Sequence, residues 1–173
     1  MKLATLPSIT LFGLVTLYGA ATVAAGLRGE EDGPFLMRAA EVSRQEANEA
    51  RAAERSTRNT EIRGTAHSIA DDHERASRQL ADLAKKKGTS LPAGATNAAG
   101  AAGAAGAAKS QSDPERIAGL LKAHEDAVAL FHKEAVRGTD PDLKSFAQTT
   151  LPTLQQRLMD LRTLQDSYPQ SRG

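Results

Sequence analysis

The chain has 173 residues, with Lys plus Arg at 22, Asp plus Glu at 21, a formal charge of +1, and neither Cys nor Trp. A near-neutral balance without a basic block argues against a nucleic-acid partner bound through phosphate neutralisation. The missing Cys excludes disulfide staples, thiol catalysis, Cys zinc sites, iron–sulfur clusters and a lipid-modified N-terminal Cys.

From the N-terminus, Met1-Lys2 leads into an apolar stretch from Leu3 to about Ala25, and the first acidic residues are Glu30 and Glu31. One cation, an apolar run over Ile9–Val15 and small residues at Val23-Ala24-Ala25 predict a secretory signal peptide over 1–25, cut after Ala25. The alternative is an uncleaved membrane anchor, because Leu3 to Leu27 is long enough to cross a bilayer. Either outcome exports the remainder to the periplasm or cell envelope. A short spacer, 26–33, follows.

Helical periodicity then predicts four helices over 34–165 and no strand. The first runs from Pro34 to Thr57. The second runs from the N-cap Asn59 to Lys87, stopped by Lys85-Lys86-Lys87 and then Gly88. The third starts at Ser112, which has capping-box spacing with Glu115, and ends before Gly138. The fourth starts at Asp140-Pro141 and reaches Gln165; the tail 166–173 is polar and predicted to be disordered. Between the second and third helices lies an Ala/Gly-rich linker, 88–111, that offers no side chains to dock it. A second helix of that size is about 43 Å long, whereas about two dozen extended residues reach up to about 80 Å. The linker can therefore return along the full length of the bundle. The predicted fold class is an all-α, ferritin-like four-helix bundle with a long crossover between helices 2 and 3; a plain up-down-up-down bundle, which would need far less linker, is the alternative.

The apolar stripes contain polar members. Glu46 interrupts Phe35, Ala39, Val42, Ala50 and Ala53. His73 stands between Ile69 and Ala76, and His124 between Leu120 and Val128. A buried carboxylate or imidazole is costly without a partner, so these residues are the candidate site. Counting from the two short turns, Glu46, His73, His124 and Arg157 come to similar heights and are expected to converge at mid-bundle. His67 and His132 lie off the stripes and read as solvated. Asp71 and Asp72 flank the core.

Ala39-Ala40 with Glu46, Asp72-His73, His124-Glu125-Asp126-Ala127-Val128-Ala129-Leu130-Phe131, and Leu143-Lys144-Ser145-Phe146-Ala147 with Leu151-Pro152-Thr153-Leu154 resemble the bacterial domain of unknown function 4142. That resemblance implies an exported, ferritin-like protein of the kind labelled outer membrane protein. It implies a Glu on the first helix and a His on each of the second and third, which fall on Glu46, His73 and His124. Beyond the fourth helix's Leu-Pro-x-Leu the family carries a His where this sequence has Arg157. An Arg is no metal ligand, but it can pair with Glu46 and leave a metal-free polar cluster.

The di-iron pattern Glu-x-x-His is absent, since Ala70 precedes His73 by three and Leu121 precedes His124 by three. The zinc-protease signature fails at Ser77 and Val128. Two functions therefore stand. The first is a non-catalytic, stress-related or partner-binding envelope protein with a structural cluster of Glu46, His73, His124 and Arg157. The second is a periplasmic protein binding a divalent metal through Glu46, His73 and His124, with Glu49 as a further carboxylate. The expected partner is a protein or other envelope component, and the only expected membrane contact is through an uncleaved N-terminal segment.

Overall fold

The computed structural model describes residues 31–92, 94 and 111–168; the leader, most of the Ala/Gly linker and the tail beyond Tyr168 lie outside them. The described residues form four helices and no strand: α1 (Asp32–Ser56), α2 (Thr60–Lys86), α3 (Asp113–Arg137) and α4 (Pro141–Ser167). α1 starts two residues before Pro34, because Asp32 finds partners in the α3–α4 turn.

The punctuation residues act through hydrogen bonds. Asn59 caps α2 by accepting from the amides of Glu61 and Ile62. Glu115 reaches back to the amide of Ser112 at 2.8 Å. Gly88, at φ 64°, takes the left-handed turn that lets the Thr89 amide bond the carbonyl of Ala84, a closure costly for a side chain with a Cβ. Pro152 is exposed, and α4 continues through it.

Contacts between helix ends set the topology. At one end, Asp32 accepts from the amides of Thr139 and Asp140, and Lys87 donates to Asp140. At the other, Thr57 donates to Asp113 at 3.0 Å, and the Asn59 amide group bonds the Tyr168 hydroxyl. The start of α1, the end of α2 and the α3–α4 turn therefore share one end, so every laterally packed pair is antiparallel. α1 packs on α2 and α3, and α4 packs on α3 and α2. Gly88 and Ser112 sit at opposite ends of the bundle.

The apolar core is split in two. Toward the Asp32 end, Phe35, Leu36, Leu80, Phe131, Leu143 and Leu154 pack with alanines, and Phe35 meets Phe131 edge to face at 5.5 Å. Toward the other end, Ile69, Leu120 and Leu161 pack with alanines, followed by Ile62, Ile117 and Leu164. Each fully buried Leu, Ile or Phe contributes about 1.5–3 kcal/mol. Between the two clusters lies a polar layer.

Candidate metal centre

That layer consists of Glu46 on α1, His73 on α2 and His124 on α3, with exposures of 3%, 1% and 0%. Each occupies the core-facing position its stripe requires, so the helices that bury the leucines also bury these three. Glu46 Oε2 lies 2.7 Å from His124 Nδ1 and 3.2 Å from His73 Nε2, and the two imidazole nitrogens are 3.5 Å apart. The rings stand edge to face, 87° apart. α4 contributes its backbone, with the Leu154 carbonyl 3.1 Å from His124 Nε2.

This last contact decides the tautomer. A carbonyl only accepts, so Nε2 of His124 carries the hydrogen, and in a neutral ring Nδ1 presents a lone pair. That lone pair faces a carboxylate oxygen 2.7 Å away, an arrangement that needs a proton or a metal cation between them. With a proton in that position, burial still pushes the Glu46 carboxyl up, but hydrogen bonds and charge from His124 and His73 outweigh it and bring the group down to about 2. Glu46 is therefore an anion at neutral pH.

The three donor atoms fit a metal ion. All of them lie within 4.8 Å of one another, and separations of 2.7–3.5 Å bracket the roughly 3.3 Å expected between ligands each about 2.0–2.1 Å from a tetrahedral ion. Two imidazoles and a carboxylate suit zinc or another first-row divalent ion. A ring N–H held by a backbone carbonyl is the usual support for a ligating histidine.

The other expected members are elsewhere. Arg157 does not join Glu46; it bonds Asp72 at 2.9 Å and Asp160 at 2.9 Å. Its neighbours Leu154 and Leu158 hold the inward positions of α4, which turns Arg157 into the seam with α2. Glu49 is exposed and accepts from Gln45, so it adds no second carboxylate. Asp72 pairs with Arg157 and Arg75 rather than orienting His73. His67 is on the surface as expected, but within a network of Arg51, Glu54 and Asp71. His132 is exposed. Among the described residues, no Lys or Arg bonds Glu46, so the cation argued to exclude a metal is absent from the centre.

Sequence reasoning missed two features. Ser43 and Ser77 are 0% and 1% exposed, and their hydroxyls lack hydrogen-bond partners, as do Glu46 Oε1 and His73 Nδ1. At the Asp32 end, Glu134 and Lys87 are buried with Asp32 and Asp140. Glu134 follows Phe131 by three and so continues the α3 stripe, a signal that was available.

No described helix is long and apolar enough to cross a membrane. No curated protein and no solved structure matches the chain. A family model described as a domain of unknown function, DUF4142, matches residues 19–164. The match runs through Glu46, His73, His124 and all but the last turn of α4, and the chain belongs to this family.

Proposed function

We propose that the chain is an exported protein of the bacterial cell envelope that binds one divalent transition-metal ion through Glu46, His73 and His124. The observation that carries this reading is the aim of three donor atoms from three helices at one buried point, with the His124 lone pair directed there by the Leu154 carbonyl. Export is supported by the leader-like pattern of residues 1–25. A second reading, a metal-free polar layer that fixes helix register, is favoured by the position of the triad between two apolar clusters and by the two imidazoles on Glu46 Oε2.

Titration of chelator-stripped protein with Zn2+ separates the two. Binding of one ion per chain is expected, with affinity reduced about a hundredfold or more in His73→Ala and Glu46→Gln, beyond the 10–100-fold typical of outer-shell changes. Arg157→Ala is expected to leave uptake unchanged, because that guanidinium faces Asp72. Zinc binding that is equally tight in His73→Ala would overturn the metal reading and leave the structural layer.

A further inference from the structure

We propose that the centre takes a small monovalent anion as an additional metal ligand, held on one side by Ser43 and Ser77. The inference rests on the metal reading and deepens it.

Ser43 precedes Glu46 by three residues on α1, and Ser77 follows His73 by four on α2, so each lies on the face of its helix that carries the ligand. The two helices are antiparallel, and both offsets therefore run toward the Asp32 end. The serines form a polar step on the same side of the triad. Both are buried, and neither hydroxyl has a partner. By contrast, Ser56, Ser68, Thr149 and Thr163 return their hydroxyls to a carbonyl one turn earlier in the helix. Buried hydroxyls are normally satisfied, and two that forgo the local carbonyl at the same level call for a common acceptor.

Charge points the same way. A divalent ion on one carboxylate and two neutral imidazoles leaves the buried centre one positive charge in excess, a costly state in an apolar interior. Three protein ligands leave a tetrahedral ion one open position. Unmatched donors, an excess positive charge and an open position together specify a small anion.

The test uses Co2+ in place of the native ion, azide as the anion probe, and visible absorption as the readout. Wild-type protein loaded with one Co2+ is expected to change its spectrum saturably with azide. The Ser43→Ala/Ser77→Ala double variant is expected to bind Co2+ with wild-type stoichiometry but azide at least tenfold more weakly. A Co2+ spectrum indifferent to azide would overturn the anion site while leaving the metal centre standing. Equal azide affinity in wild type and double variant would remove the serines and the proposal with them. Failure of wild-type protein to take up Co2+ would overturn the metal reading, and this inference with it.

Discussion

Lys87→Met is expected to lower the folding free energy by about 3–5 kcal/mol, the range for removing one partner of a buried ion pair. Lys87 Nζ donates to Asp140 at 2.6 Å, and the two side chains are 3% and 2% exposed. A second bond runs to Asp142 at 2.9 Å. Burial alone would depress the ammonium; the bonds to Asp140 and Asp142 more than offset it, so the group stays charged. Asp140 spends its other oxygen on capping α4 through the amides of Asp142 and Leu143, so loss of the lysine leaves a buried carboxylate only partly compensated. The pair also ties the end of α2 to the α3–α4 turn across more than fifty residues of sequence. Lys86, 60% exposed and paired with the same Asp142, is the internal comparison; Lys86→Ala is expected to cost less than about 1 kcal/mol. Urea unfolding of both variants measures the contrast. Equal and small losses would show that the end of α2 and the α3–α4 turn are not clamped at this point.

The second large effect is a fall in stability as pH rises from about 4.5 to about 7. Burial pushes the Glu134 carboxyl up from 4.5 to about 7, reinforced by the negative charges of Asp32, Asp140 and Glu31. Glu134 faces Asp32 of α1, with Asp140 of the α3–α4 turn beyond it. Asp32 stays ionised and is held below the usual carboxylate range: its own burial is outweighed by the Thr139 hydroxyl and the amides of Thr139 and Asp140. Two carboxyls thus share one proton. Because the folded chain holds that proton more tightly than the unfolded chain, the contribution is complete below about 4.5 and is lost as pH rises through about 7. A shift of this size is worth on the order of 3 kcal/mol for a buried group. Glu134→Gln, neutral at every pH, is expected to remove this decline. Parallel stability–pH curves for wild type and variant would assign the proton elsewhere.

The helices were legible because periodicity, caps and stops coincided: Asn59, Ser112 with Glu115, Asp140, and Lys85 through Gly88 each mark an end seen in the structure. Glu46, His73 and His124 were legible because a charged or imidazole side chain on an apolar stripe must find a partner inside. Arg157 was misplaced because counting from a turn gives height along a helix but not direction around it. Three residues beyond Leu154 and one before Leu158, it rotates out of the core to Asp72. The Asp32–Glu134–Lys87–Asp140 cluster went unread because each member has an ordinary local role, as a cap, a surface charge or a last-turn cation. Only the meeting of the α1 start, the α2 end and the α3–α4 turn buries them together.

The proposed metal centre is tested most directly by anomalous diffraction at the zinc edge from crystals of zinc-loaded protein. One strong peak is expected, about 2.0–2.2 Å from Glu46 Oε2, His73 Nε2 and His124 Nδ1. A map with no peak between these atoms, while zinc occupies surface carboxylates, would contradict the assignment and leave the polar layer as a structural feature.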